Sequence, residues 1–553
     1  MKVGSSRASR KYLIVFWLVL SVTFAACLPG AQRSAYYGKV VVPRAQEFRW
    51  SDGGLPQTFD PAFAAAPPDT DAVRALFEGL TDYDPQTLAP VPGVATRWES
   101  SVDGRVWTFY LREDAKWSNG ESVTASDFVR SWERTLKIGP LAPHTELLAN
   151  IEGSGVNPAV VKGSAPTQRP TFGAEAVNDH VLRVRLQEAD SSFPALVAHP
   201  VFRPVKLSAS NQTHTYPLEP HDLVSNGAFQ LTNAATDHVL LERAKTYWDG
   251  ASVALDKVAF VRSASPEDAL AAYRAGEIDA VTNAAFEPLA LKILAGYEDF
   301  RRSTFGALTY YSFNRTRAPF DDVRVREALA ISIDRERVSH DHLGGATEPA
   351  SKFLPEAMSG EKPVVNKAEL LEQDVTKARQ LFAEAGFPGG KGFPLVRLLI
   401  NRNDQQRLVA QAIAEMWRAA LNIETEIVMK NWDEYETALR TGDYDVIRRG
   451  MVMQTTDELT NLKMLFERES SFGVVETLPP STAKPAEQGK TERKSSTVTS
   501  EEDALKELRA VPIYFATSFA LVKPYVTGFD GNVLDVPSLK KTRMNTSWVE
   551  RKP

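Results

Sequence analysis

The chain is predicted to fold as a mixed protein of α/β or α+β class, divided into several domains. Three observations predict this. Helical stripes and short alternating strand signals interleave along the sequence, which points to helices packed on sheets. The 553 residues exceed what one core holds, since single cores stop growing at about 250–300 residues. The composition, 43% hydrophobic and 24% charged, is that of an ordinary globular protein able to bury several cores.

The elements follow in order. Asp103-Gly104 makes a tight turn, and Val106–Leu111 (VWTFYL) is a β-rich run behind it. Trp117 anchors the next loop, and Asn119-Gly120 turns into a helix capped near Thr124 or Ser126. Val181–Leu186 alternates apolar residues with arginine, a half-buried strand. Further on, Ala378, Leu381, Phe382 and Ala385 share one helical face, with Gly386 as the stop. Val409, Ala412, Ile413, Met416, Trp417 and Ala420 form a second stripe. Ile423, Thr425, Ile427 and Met429 then alternate with Glu424 and Glu426. These stripes read as core faces rather than binding features. Residues Glu476–Glu502 are rich in Pro, Ser, Thr, Lys and Glu and nearly free of large apolar side chains. Such a segment buries too little to offset its ordering entropy, so a disordered insert is expected there. No internal repeat is present.

The amino terminus is a targeting signal. Lys2, Arg7, Arg10 and Lys11 precede an apolar run from Tyr12 (YLIVFWLVLSVTFAA), too short to span a bilayer comfortably. Ala25 and Ala26 then precede Cys27, the single cysteine of the chain. A cysteine at that point resembles the bacterial lipoprotein signal, in which the thiol is acylated with fatty chains such as palmitate; Phe24 stands where that signal usually has leucine. The alternative is an ordinary signal peptide with a chance cysteine near the cut. Either way the chain is expected to be exported, to the periplasm or the outer face of a membrane. Removal of residues 1–26 takes four positive charges and no negative ones, moving the formal charge from −6 to −10. That balance argues against nucleic acid as a partner. One cysteine permits no internal disulfide.

Catalytic patterns are missing. There is no G-x-S-x-G elbow and no H-E-x-x-H. Residues Gly386–Gly392 (GFPGGKG) lack phosphate-loop spacing and read as a turn. Gly153-Ser154-Gly155 fails the dinucleotide pattern at its last position. His214, His221 and His238 show no metal-ligand spacing. Asp433/Glu434 and Asp443/Asp445 are carboxylate pairs on expected turns and strands, read as solvated. No enzyme activity, cofactor or metal is therefore expected.

The informative stretches lie elsewhere. Residues 102–134 (VDGRVWTFYLREDAKWSNGESVTASDFVRSWER) form one. Others are Phe77-Glu78-Gly79-Leu80, Val224-Ser225-Asn226-Gly227-Ala228-Phe229, Tyr247-Trp248-Asp249 and Tyr273 to Asp279 (YRAGEID). Ala318 to Leu329 (APFDDVRVREAL), Pro512-Ile513-Tyr514 and Leu521-Val522-Lys523-Pro524 complete the set. Together, and in this order, they resemble the family 5 extracellular solute-binding proteins, the periplasmic oligopeptide-binding proteins of ABC importers. The resemblance covers about residues 40–475 and 503–540. It implies a bilobal periplasmic binding protein fold of the large, three-lobe type, with the ligand in a cleft between lobes. After the signal peptide (1–26) and a tether (27–39), lobe I would comprise 40–75, 203–305 and 518–553. Lobe II would be 76–202, and lobe III 306–517.

The same resemblance implies a mechanism and its residues. Affinity for many peptides must come from what all peptides share, the main chain and its charged ends, paired to strand edges of the protein. A Gly-Trp-x-x-Asp segment of lobe III serves this purpose in relatives, and it aligns here with Arg448-Arg449-Gly450-Met451-Val452-Met453-Gln454. Gln454 thus replaces a carboxylate, and Met451 a tryptophan. Asp457 is the alternative carboxylate if the loop is redrawn. Arg448 is either near the ligand's carboxylate end or a surface charge, as is Arg440. Trp432 is either pocket-lining or a plain core residue. A lobe I strand that pairs with ligand aligns near Ala65-Ala66-Pro67-Pro68, where proline removes donors. The insert at 476–502 replaces the helical stretch before the Pro-x-Tyr strand of Tyr514. Expected partners are a short peptide, the permease subunits of an importer and a membrane through the Cys27 lipid, with the chain a monomer. The other reading keeps the fold and changes the task, to a sensor, a surface-interaction protein or a binder of another solute.

Overall fold

The computed structural model describes residues 35–156, 171–206, 220–358, 370–471 and 500–550. The lipidation position Cys27, and residues 476–499 of the expected insert, lie outside them. Among the described residues no helix is long and apolar enough to cross a membrane.

One sheet organises the chain. Its strands are β1 (Glu47–Asp52), β2 (Phe229–Ala234), β3 (His238–Arg243), β4 (Lys257–Val261), β5 (Ala280–Thr282), β6 (Phe300–Phe313), β7 (Thr347–Pro349), β8 (Val396–Asn401), β9 (Thr425–Lys430), β10 (Val446–Val452) and β11 (Ala510–Val522). They lie in the order β9-β8-β10-β6-β11-β5-β1-β4-β3-β2, with β7 beside β11. A second, four-stranded antiparallel sheet contains Val106–Leu111 and Val181–Arg185. In it Leu182 and Val184 are buried while Arg183 and Arg185 face out, the alternation that the sequence carries.

Six helices matter below: α1 (Asp69–Leu76), α2 (Ala125–Ile138), α3 (Asp404–Leu421), α4 (Trp432–Thr441), α5 (Glu458–Ser471) and α6 (Glu501–Glu507). The cap of α2 is Thr124, whose side chain pairs with the backbone of Asp127 while Asp127 reaches back. On α3 the expected stripe is buried, including Trp417, whose indole donates to the Leu329 carbonyl at 3.0 Å. Asp433 and Glu434 sit in the first turn of α4 rather than on a turn, where Glu434 closes a capping box with Asn431. Asp443 and Asp445 are paired, not merely solvated: Arg397 holds Asp443 at 2.8 Å and Arg317 holds Asp445 at 3.2 Å.

Two large cores result. One runs without a break through residues of the expected lobes I and II, from Phe48 and Trp50 through Phe109 and Trp132 to Phe260. The other belongs to residues 308–515. The long strands β6 and β11 pass from one core to the other side by side, and their register shifts between Thr304 and Leu308. The boundaries expected at 305/306 and 517/518 fall inside these two strands.

Three expectations need correction. Residues 64–68 are not a strand; they form an irregular lead into α1, with Pro68 as its cap position. Proline fits there because the first helical amides have no acceptor within the helix. The stretch before Tyr514 is helical after all: α6 precedes β11, capped by Ser500, whose hydroxyl accepts the Asp503 amide at 3.2 Å. The end of the polar segment is therefore ordered, and Glu501 is completely buried.

Candidate functional site

The free edge of β10 is the centre of the site. The Met453 amide donates to the Gly306 carbonyl at 2.8 Å. Main-chain groups alternate sides along a strand, so Ile447, Arg449 and Met451 face β6. Arg448, Gly450 and Val452 turn theirs to the opposite side, where β8 covers only Val446 and Ile447. The Tyr435 hydroxyl of α4 donates to the Arg448 carbonyl. The Gln454 amide donates to the Val452 carbonyl at 3.2 Å. Gly450, with its N–H and C=O, and the N–H of Val452 face outward, and among the described residues no strand covers them. Both residues are exposed, Val452 by 45%.

Side chains complete the description. Arg448 is half-buried, and its guanidinium donates to the Thr309 hydroxyl at 3.3 Å. A Cβ at Gly450 would approach that guanidinium to 3.3 Å, so a larger residue would displace Arg448. Met451 points inward and is buried in the core of residues 308–515. Trp432 is no core residue: it is 59% exposed and stacks on Tyr435 at 5.5 Å. Asp457 is committed locally. Its carboxylate accepts the Thr460 amide at 2.7 Å and so caps α5.

Two expected residues have their polar groups engaged within the chain. Tyr514 is buried in the same core as Met451, and its hydroxyl accepts from Gln406 at 2.9 Å. Ala66 is exposed, but its carbonyl accepts the Thr70 amide at 3.2 Å and the neighbouring Ala65 carbonyl meets His144 at 2.9 Å.

A residue outside the expected set reaches the site. His199 is buried, and its Nε2 lies 3.1 Å from Oε1 of Gln454, 255 positions along the chain. Its ring packs edge-on against His144 at 4.8 Å. Burial, His144 and the Arg74 guanidinium hold the His199 pKa well below the usual histidine value. No linear pattern could have joined His199 to Gln454.

Parallel β1 and β5 end together at Asp52 and Thr282, and ligands of open α/β sheets bind beyond such carboxyl ends. There the Asp52 carboxylate accepts from Thr282 and Asn283, each at 2.6 Å. Burial pushes its pKa up to about 6. Burial and the adjacent Asp52 push Asp71 well above the carboxylate range. Among the described residues no three acidic, histidine or cysteine side chains are grouped to hold a metal ion.

A buried charge frame stands behind this. Glu78 accepts from Tyr247 and, at 2.7 Å, from Trp248. Lys540 lies 3.3 Å from Glu78 and 2.7 Å from Asp82, and Arg203 lies 3.3 Å from Asp82. Against the cost of burial, Asp82 and Glu78 hold the Lys540 pKa well above its usual value.

Residues 89–472 match the profile of the bacterial extracellular solute-binding proteins, family 5 Middle. The periplasmic oligopeptide-binding protein OppA of Salmonella typhimurium is 30% identical over 552 residues, covering 95% of this chain and 97% of OppA. Among solved structures, the unliganded open form of the murein tripeptide binding protein MppA superposes with a TM-score of 0.74 at 29% identity, covering 91% of this chain and 98% of that one. Haemophilus influenzae OppA in complex with RPPGFSPFR superposes with a TM-score of 0.61 at 27% identity, covering 91% of this chain and all (100%) of that one.

Proposed function

This chain belongs to the family 5 bacterial extracellular solute-binding proteins, which bind solutes and are not enzymes, and from that premise we propose that it captures short peptides and delivers them to an ABC importer. In this reading it is exported, held at the membrane by a lipid on Cys27, and works as a monomer. The observation that carries the reading is the uncovered edge of β10 at Gly450 and Val452. An extended peptide adds there as a further strand through its main chain, which every sequence possesses. Arg448, Gly450, Val452 and Gln454 line that strand, and Trp432 with Tyr435 walls its far side. The paired strands β6 and β11 are the hinge about which the 308–515 core closes on the other.

The test is a thermal shift of the mature protein with a random peptide library. A ligand that binds only the folded chain stabilises it by about 2.7 kcal/mol at a hundredfold excess over Kd, so the midpoint is expected to rise. An unmoved midpoint with peptides of two to nine residues would overturn peptide capture.

A further inference from the structure

The hydrogen-bond polarity around Gln454 is fixed from both ends by main chain. His199 Nδ1 accepts the Val201 amide at 3.2 Å. A backbone N–H only donates, so in the neutral ring the proton sits on Nε2. Nε2 therefore donates to Oε1 of Gln454. The other end is the Val452 carbonyl, which only accepts, so it faces the amide nitrogen of Gln454. The orientation of the Gln454 amide follows from these two anchors.

What Gln454 offers a ligand follows in turn. One N–H remains, directed from the end of the uncovered strand edge. Oε1 keeps a lone pair but has spent the other on His199. The titratable groups that act on His199 from the elements packed around it are His144, Arg74 and Arg203. Arg203 is paired with Asp82, and Asp71 and Asp82 act on Arg74, so what bars an ammonium here is that Gln454 itself carries no countercharge. Asp457 has one oxygen committed to the cap of α5, so it is positioned by that helix rather than by the strand edge. The carboxylate it faces, Asp190, already has the ammonium of Lys463 near it, which is held at 2.5 Å by Glu188.

We propose that His199 and Gln454 are a specificity-determining pair that meets the end of an extended ligand with a hydrogen-bond donor. The pair selects a ligand whose adjoining end is an acceptor without positive charge. An acylated amino terminus or a terminal carboxylate has that chemistry; a free ammonium group does not. The inference rests on peptide pairing along β10, and the experiment separates the two.

Random pentapeptides are prepared in four forms: free at both ends, N-acetylated, C-amidated, and blocked at both. Competition for the mature protein is read by native mass spectrometry. The expected result is that acetylation preserves or tightens binding. If the acylated end is the one received, C-amidation changes little; if the carboxylate is received, C-amidation weakens binding roughly tenfold. A tenfold loss on acetylation overturns the inference and leaves peptide capture standing. Binding of none of the four overturns both. In Gln454→Glu the preference is expected to swing roughly tenfold toward free-amine peptides, the worth of a charge-assisted bond; an unchanged preference shows that position 454 does not set it.

Discussion

The Glu78 frame and the β10 edge are opposite solutions for polar groups. In the frame every charge is held by another: Glu78 and Asp82 share Lys540, Arg203 adds to Asp82, and an aromatic pair donates to Glu78. At the edge, Gly450 keeps its outward N–H and C=O, and Val452 its N–H, for something outside the chain. The frame forfeits adaptability for definition, because a half-satisfied buried network is worse than none. The edge stays uncommitted and accepts many partners. A site for a variable ligand has to be of the second kind.

The largest effect comes from breaking the frame. Lys540→Met leaves Glu78 and Asp82 buried with one countercharge fewer. Removing one member of such a pair costs about 3–5 kcal/mol. Urea denaturation is expected to show a loss of that size. A change below about 1 kcal/mol would mean that water already serves these carboxylates, and the contrast with the edge would fail.

Next is a change at the edge that spares the fold. Val452→Pro removes an N–H that points away from β6, so no ladder bond is lost. Peptide affinity by calorimetry is expected to fall about tenfold, the worth of one hydrogen bond, while the melting temperature holds. A melting temperature that falls with affinity would show that the amide belongs to the fold.

The frame and the edge were each only half legible in the sequence. Glu78, Tyr247 and Trp248 lie in stretches found by resemblance, whereas Asp82, Arg203 and Lys540 belonged to no pattern in the sequence. Helix faces such as that of α3 were legible through spacing alone. The segment around Gly450 was found by resemblance, but the freedom of its edge depends on where β8 stops pairing, which no local pattern records. His199 was invisible because its partner is 255 residues away. α6 was missed although its signals were present: Ser500 three residues before Asp503, then Ala504, Leu505 and Leu508 at helical spacing. The polar composition around them outweighed that pattern. Pro67-Pro68 was read for the donors it removes from a strand, when proline is equally a sign that a helix begins.

A smaller and graded effect concerns pH at the ends of β1 and β5. Burial raises the folded pKa of Asp52 to about 6, above the roughly 3.9 of an unfolded aspartate. The folded state thus binds the proton more tightly. The stability this supplies is complete below about pH 4 and is lost as pH rises through 6. Asp52→Asn is expected to raise stability at pH 7.5 by on the order of 1–3 kcal/mol, with the gain vanishing near pH 4. Glu501, pushed by burial to about 7 against the opposing Leu354 amide, acts in the same direction, so Glu501→Gln serves as the parallel measurement away from β1. A mutant gain equal at both pH values would show that charge is not its cause.

The smallest effect separates the wall of the edge from the edge itself. Trp432 is 59% exposed and stacks on Tyr435. Tyr435 in turn holds the Arg448 carbonyl. Trp432→Ala removes an aromatic pair worth about 0.5–1.5 kcal/mol beyond its buried area, and exposure places the stability cost at the low end of that range. If the ring only steadies Tyr435, peptide affinity is expected to fall no more than about threefold, evenly for all sequences, because the main-chain groups of Gly450 and Val452 stay in place. If the ring also receives a ligand side chain, the loss grows with aromatic or apolar residues at one peptide position and vanishes with glycine there. Calorimetry with a peptide series varied at single positions decides this. A uniform loss as large as that of Val452→Pro would put the wall and the edge on equal footing and remove the distinction between them.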